Sequence, residues 1–538
     1  MSTRAWSAAI TLALLAGPAQ GADLTLGQRL EYKHVSRGHE FHLSGAAVAA
    51  RPDGRPVVAW AAQEGAANQL YLLQPGDGAA PVRVNPDGLG VEALHHPPRL
   101  AIAPGGGPLY VSWSSEKPKP EGTLFASDLR LSRSLDGGRT FEAPLRVNED
   151  RPISHSFDGL AVAADGTAFV TWIDGREGRP DPATWLARVV DAGTRVESIR
   201  KVGDDTCVCC RVDAAAGPAD TVALAWRRVF PGDIRDMVLA VSRDGGRTFG
   251  DPTLVSPDRW KINACPHRGG AVGLDARGRI YMSWYTEGTD IRPDLRFAVS
   301  TDGRRFGPAK RLHTSATSIP DNVRMAVDPA GRAVIVWEES TAVRRRILLR
   351  YTLDAGRTVS PIRVLSGAIK AYAPDVALAG DGSFLVAWHE EQFPFLKTVV
   401  QGWQTMAKGL GSVTEMVIQG IFPWCFTPEL YAAKPDYIEA LAAFVRGRPQ
   451  QPLDAFLRQS DPVIGHDALA QLGRIRAPTQ ITFGRHDLVT STRFAEPLKG
   501  GIGKSELVIF ESCSHAPIYE NVAEFNAKTL AFLQRQVG

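Results

Sequence analysis

Apolar and polar positions alternate along most of this chain, and the alternation breaks at a Gly or Asp turn, resumes, and ends in tryptophan. The pattern recurs as AAVAARPDGRPVVAW, RLAIAPGGGPLYVSW, LAVAADGTAFVTW, RVDAAAGPADTVALAW, AVGLDARGRIYMSW, RMAVDPAGRAVIVW and DVALAGDGSFLVAW, closing on Trp60, Trp113, Trp172, Trp226, Trp284, Trp337 and Trp388. Period-two alternation around a tight turn predicts a β-hairpin. A second hairpin follows each first one, best seen in LRLSRSLDGGRTFEAPLRV, LAVSRDGGRTFGDPTLV and RFAVSTDGRRFGPAKRL, with weaker copies in LLRYTLDAGRTVSPIRVL and LARVVDAGTRVESIRKV. Four strands per repeat at a spacing of roughly 50 to 60 residues predict a β-propeller. The repeat ending at Trp388 shows its inner hairpin and little else, and LTLGQRLEYKHV near the N-terminus is placed to add its outer strand. Seven blades is the first expectation and six the second. An elongated β-sandwich array is the alternative that the even period disfavours.

The period changes near Thr398 to Gln404. WQTMAKGLGSVTEMVIQGIF, PELYAAKPDYIEALAAFVRG and PLDAFLRQSDPVIGHDALAQLGRI carry apolar residues at helical spacing. Two short apolar runs follow, PTQITFG and SELVIFE, and then an amphipathic helix, NVAEFNAKTLAFLQRQV. The expected organisation is therefore a mainly β propeller over 22–400 and an incomplete α/β segment over 401–538. Residues 1–21 read as a leader: Arg4 is the positive start, Ile10 to Ala16 the apolar core, and Ala19-Gln20-Gly21 a small-residue cleavage site. A buried first helix is the alternative. A cleaved leader implies a periplasmic or secreted protein. No later apolar run approaches the ~18 residues of a membrane span. The formal net charge is +3, from 61 basic and 58 acidic side chains without a Lys/Arg block, which excludes an electrostatic case for nucleic acid.

Within the second hairpins, Ser134 to Phe141 and Ser242 to Phe249 share the motif S-x-D-x-G-x-T-F. It resembles the Asp-box, or BNR repeat, of the sialidase superfamily, and the resemblance covers about residues 24 to 400. Sialidases bind a carboxylate with three arginines and use a Tyr/Glu nucleophile and an Asp acid. The resemblance directs those roles to Arg211, Arg268 and Arg324, to Tyr285 and Glu287 in WYTEG, and to Asp158 in SHSFDGL. Two departures stand against a direct transfer. The family's early Arg-Ile-Pro motif is missing, and the three arginines are more evenly spaced than the family's triad. Independently, blade topology puts the start of each inner strand and the end of the next at one mouth of the channel. His39, His42, His95, His96, His155 and His267 belong there with the arginines, which makes that mouth the candidate site for a glycan or another small anion. A hydrated rim whose charges only satisfy each other is the alternative.

Six cysteines punctuate the chain. Cys207, Cys209 and Cys210 in DDTCVCCRV and Cys265 in WKINACPHRGG open successive blades. Export permits two disulfides, the first reading. A soft-metal site of these thiolates with His267 and His155 is the second, and free thiols the third. C-x-C-C lacks the usual zinc spacing, so no metal or other cofactor is expected. The block resembles secreted bacterial Asp-box proteins that carry such C-x-C-C and C-P-H segments.

IRAPTQITFGRHDLVTS and CSHAPIYENVAEFNAKTLAFL closely resemble the end of an α/β-hydrolase of the lactonase and C–C-bond hydrolase type, over about residues 402 to 538. The resemblance implies Asp487 as triad acid and His515 as general base. The nucleophile elbow G-x-S-x-G occurs nowhere in the chain. The strand that carries the oxyanion hole is also missing, so the segment reads as an inert remnant whose bare apolar faces, IFPWCF among them, would suit a protein partner. The expected function is thus an exported, sialidase-like binding propeller. The alternatives are a sialidase-type glycoside hydrolase and an α/β-hydrolase acting on an ester or C–C bond. Enzymatic activity stays open at this point; if present, it is hydrolytic, with the glycosidase ahead.

Overall fold

A computed structural model describes residues 5–16, 25–37, 45–64, 67–75, 80–89, 91, 97–118, 121, 125–315, 317–341, 344–366, 370–391, 394–464 and 468–536. The chain divides into two compact units, Met1–Glu391 and Gln392–Gly538. His39, His42, His95 and His96 lie outside the described residues.

The first unit is a β-propeller. Its inner strands are Ala47–Ala50, Arg99–Ile102, Ser156–Val162, Asp213–Ala216, Gly270–Leu274, Ile319–Val327 and Lys370–Leu378. Each packs against the next and the last returns to the first, which defines blades I to VII. Blades I to VI are each built from four consecutive antiparallel strands. Blade VII is composite. Its inner hairpin, Lys370–Leu378 with Phe384–Glu391, is continued by Ala5–Ala16 and then by Thr25–Arg37. The outermost strand is the one that LTLGQRLEYKHV predicts. The strand between is the segment read above as a leader core. A chain cut after Gly21 lacks that strand, so leader and strand are alternative fates of the same apolar run.

The tryptophan repeat explains the ring. Six of the seven tryptophans are 0% exposed and Trp60 is 2% exposed, because each fills the wedge between neighbouring blades. Burying one aromatic side chain is worth about 2–3 kcal/mol before packing is counted. Glycine admits one of them: Gly203, at the end of blade III's outer strand, has no room for a side chain beside the Trp226 ring.

The S-x-D-x-G-x-T-F turns also have a physical account. Asp244 Oδ1 accepts from the Ser242 hydroxyl and the backbone N–H groups of Arg247 and Thr248, and Oδ2 accepts from the Thr248 hydroxyl at 2.6 Å. Asp136 repeats this set, and the weaker copy in blade VI uses Thr352, Asp354 and Thr358 instead.

The second unit contains helices Pro394–Leu410, Pro435–Arg446, Leu453–Ile464 and Val522–Gln534 and one parallel strand pair, Thr479–Gly484 with Ser505–Phe510. A two-stranded parallel sheet is small for an α/β core. Its apolar contacts centre on Ile481, Phe483, Leu472 and Ile502, while Leu530 and Leu533 of the last helix are more than half exposed. Among the described residues, no helix is long and apolar enough to cross a membrane.

Candidate functional site at the channel mouth

The strand register places one residue of each inner strand opposite the residue that precedes the tryptophan. In blade order these are Ala47, Arg99, Gly159, Asp213, Ala271, Arg324 and Asp375. They fall on the lining of a central cavity of about 310 Å³ or on its immediate flank. The four charged members each reach into the next blade. Arg99 donates through Nε and Nη2 to the Asp158 carbonyl at 3.0 and 2.8 Å. Asp213 accepts the Val272 N–H at 2.9 Å, and Asp375 accepts that of Val48 at 2.9 Å. Arg324 Nε lies 3.6 Å from Asp375 Oδ1. The small members make room; a Cβ on Gly159 would sit 2.9 Å from the Val212 carbonyl. Burial pushes the Asp375 carboxyl up, against the pull of Arg324, and pushes Arg324 down to about 10.

Above this ring the inner strands bulge. Phe157, His267, Asn322 and Ala373 all have positive φ, 57°, 55°, 48° and 50°. The register slips at three of these places, between Ser156 and Gly159, Asp321 and Arg324, and Tyr372 and Asp375. A left-handed non-glycine residue costs on the order of 1–3 kcal/mol and persists where its surroundings hold it. Arg268 follows the left-handed His267, and Asp158, Arg324 and Asp375 lie within or just after the three bulges. Buried Glu338 braces two of them, accepting from Asn322 Nδ2 and from the Ala373 N–H, both at 3.1 Å.

The three arginines predicted from sequence share one electrostatic neighbourhood. Arg211 and Arg324 repel each other, and burial with that repulsion brings Arg211 well below the usual guanidinium range. Arg268 Nη2 lies 3.5 Å from Asp321 Oδ2, and its guanidinium stands 4.5 Å over the Tyr285 ring. Each arginine keeps one buried nitrogen without a hydrogen-bond partner among the described residues: Nε of Arg211, Nε of Arg268 and Nη1 of Arg324. Tyr285 donates to Glu287 at 2.6 Å; burial and then this bond push its phenol upward. Arg227 is fully buried beneath and clamps three carbonyls, those of Arg268, Arg235 and Tyr285.

Asp158 is 2% exposed, accepts the Ser112 hydroxyl at 2.8 Å, and is raised by burial. His155 is wholly buried; its Nδ1 donates to the Ser127 carbonyl at 2.6 Å, and burial keeps the ring neutral. It therefore braces the wall from behind. His267 is exposed, with its ring 6.0 Å from that of Phe157. Arg99 and Asp213 are channel residues that the sequence reading missed. Aligning the segments on their tryptophans places Asp213 where Asp375 stands; Arg99 lies one residue further from its tryptophan, and only the strand register, across a turn one residue longer, brings it level with Arg324.

The cysteines divide unevenly. Cys207, Cys209 and Cys210 are buried with their sulfurs within 4.8 Å of one another, whereas Cys265 is exposed and outside the group. The shortest separation, 2.7 Å between Cys207 and Cys210, exceeds the ~2.05 Å of a bond, and none of the six cysteines is bridged. Two disulfides, the first reading from sequence, are not what the structure shows.

In the second unit, Asp487 and His515 come together at the ends of the two parallel strands, with Nδ1 3.0 Å from Oδ2. Burial pushes Asp487 up, but the bonds from His515 and Thr490 outweigh it and leave the carboxyl low; His515 is raised in turn, chiefly by that hydrogen bond.

No family model matches the chain. Over 71 residues it is 35% identical to a proline iminopeptidase of Thermoplasma volcanium, covering 13% of this chain and 24% of that protein. Over 78 residues it is 33% identical to the 2-hydroxy-6-oxo-6-phenylhexa-2,4-dienoate hydrolase of Comamonas testosteroni, covering 14% and 27%. The chain thus spans about a quarter of the length of these curated relatives. Among solved structures, a Hadza microbial sialidase is 12% identical with a TM-score of 0.37, over 72% of this chain and 92% of that one. An ulvan lyase is 11% identical with a TM-score of 0.40, over 62% and 88%. An α/β-hydrolase from a Medee basin deep-sea metagenome library is 28% identical with a TM-score of 0.23, over 26% and 52%. The chain is a β-propeller followed by a helical part, with likeness to α/β-hydrolases over a short stretch.

Proposed function

We propose that this is an exported binding propeller that takes a carboxylate-bearing sugar, or an anion of similar charge, at the mouth formed by blades IV to VI. One observation carries the reading: Arg211, Arg268 and Arg324, which stand at the starts of blades IV, V and VI, each keep a buried N–H without a partner among the described residues. An unpaired buried donor costs about 1–3 kcal/mol, and a ligand carboxylate would relieve it. Guanidinium forks suit a carboxylate better than a point charge does. The hydrolase-like second unit is inert in this reading, because Asp487 and His515 have no elbow serine to activate.

The test is calorimetric titration of the full chain with N-acetylneuraminic acid and glucuronic acid, with glucose as the neutral control. Saturable binding of an acid, lost in Arg211→Met, is expected. Equal binding of acid and glucose sinks the reading. A second reading, a glycosidase of sialidase type, is favoured by the Tyr285–Glu287 hydrogen bond, which pairs a phenol with a carboxylate able to take its proton. Turnover of a fluorogenic sialoside that disappears in Tyr285→Phe would replace the binding reading with this one.

A further inference from the structure

We propose that Cys207, Cys209 and Cys210 form a trigonal thiolate site for a soft monovalent cation, Cu(I). The three sulfurs converge within 4.8 Å of one another, and the residues are 0%, 4% and 0% exposed. The backbone, and not a covalent link between the sulfurs, holds them in place. Cys207 N–H donates to the Arg227 carbonyl at 2.8 Å, Cys210 N–H closes a turn onto the Cys207 carbonyl at 3.2 Å, and Thr206 N–H donates to Pro182 at 2.8 Å. Phe157 and Val229 pack against the group and give it an apolar side. The site is nonetheless one residue from solvent, since Val208 inside the turn is 52% exposed. A dry, soft-donor pocket just beneath the surface suits an ion that is delivered by exchange between thiolates.

Charge points the same way. A monovalent ion on three thiolates leaves a net charge of −2, which needs cations nearby. Arg235 supplies one: its Nη1 lies 3.3 Å from the Cys207 sulfur, and its buried Nε has no partner among the described residues. Arg227, tied to the Arg235 carbonyl, is the second. Each thiol that ligates the ion gives up its proton to solvent, and no oxidation or reduction is involved.

The donor count separates this site from the alternatives. Zinc takes four ligands in a structural site, and among the described residues no fourth Cys, His, Asp or Glu joins the three. A Cys207–Cys210 disulfide would use two sulfurs and leave Cys209 without a role. Cys209 is thus the residue on which the proposals differ.

The experiment uses the full chain, reduced and kept anaerobic, titrated with Cu(I) buffered by bathocuproine disulfonate. Transfer of one copper per chain is expected, with an X-ray absorption spectrum of three Cu–S contacts. Cys209→Ser should weaken the site at least tenfold, whereas Cys265→Ser should leave it unchanged. Failure of the reduced wild-type chain to withdraw copper overturns the proposal, as does a Cys209→Ser chain that binds like wild type. Coordination by two sulfurs, or stoichiometric Zn(II) retention in preference to Cu(I), overturns it as well. The absorption measurement needs no variant, so the proposal stays open to refutation even if a cysteine substitution fails to fold.

Discussion

Replacing Arg268 by lysine separates charge from geometry at the mouth. Lysine keeps the positive charge and can still approach Asp321 or the Tyr285 ring, the two partners that hold the native side chain at 3.5 and 4.5 Å. What it lacks is the fork and the Nε–H, the buried donor that has no partner among the described residues. The loss on binding is then one charge-assisted hydrogen bond, about 1.5–3 kcal/mol. At 1.4 kcal/mol per factor of ten, Kd should rise about ten- to a hundredfold. A ligand-side change closes the cycle. The methyl ester of N-acetylneuraminic acid cannot accept the charged bond, so it should bind wild type and Arg268→Lys alike, and the coupling energy should match the loss for the acid. Calorimetry at about 0.15 M salt screens general attraction and leaves the contact term. An Arg268→Lys chain that binds the acid within twofold of wild type, or that loses acid and ester equally, refutes the assignment.

Other outcomes follow from the same geometry. Asp244→Ala removes four accepted hydrogen bonds at a half-exposed turn, where water recovers part of each; urea unfolding should show about 1–2 kcal/mol of destabilisation. Because the Thr248 hydroxyl and the other bonds lower the Asp244 carboxyl, that contribution is present above about pH 4 and disappears as acid protonates it, so mutant and wild type should converge at low pH. The His515 imidazole, raised by Asp487, should titrate closer to the ~6.5 of a free histidine in Asp487→Asn, as read by NMR; an unchanged midpoint removes the dyad. Cleavage of p-nitrophenyl esters should not depend on His515, and activity lost in His515→Ala would restore the hydrolase reading. Intact mass of the protein recovered from periplasm should begin at Ala22. The processed chain should then exchange the amides of Phe384–Glu391 faster than the unprocessed one, because it has lost the neighbouring strand.

What the sequence made legible was what each segment dictates locally. Trp60 to Trp388 announce blades because every hairpin must bury its own ring in the wedge beside it, and the same signal recurs in each segment. Arg99 and Asp213 escaped because their role is relational. An arginine opening a strand says nothing by itself; the register with the residue before the tryptophan makes it a channel side chain. The segment Ala5–Ala16 escaped for the opposite reason. Leader cores and buried strands are both short apolar runs, so periodicity cannot separate them, and only its pairing with Phe384–Glu391 shows the strand. The cysteines show a third limit. Opening neighbouring blades grouped Cys265 with the other three, but loop side chains have no period to follow, and Cys265 turns out to be exposed.

The dyad of Asp487 and His515 shows how little fold a catalytic-looking geometry needs. Two parallel strands, paired from Thr479↔Ser505 to Gly484↔Phe510, bring their ends level. Each turn that follows is fixed from within: Val489 and Thr490 donate backbone N–H groups to Asp487, and Ser514 Oγ donates to the Trp424 carbonyl. The pair therefore forms at 3.0 Å from contacts inside this unit alone. A triad also requires a nucleophile on a third strand, and that strand's position is set by a wider parallel sheet than two strands provide. Acid and base can thus stand in register on two strands alone, which is why their geometry alone is no measure of hydrolase activity. The mouth of the propeller is the stronger candidate for the opposite reason. One buried nitrogen on each of its three arginines, unlike Asp487 and His515, has no hydrogen-bond partner among the described residues.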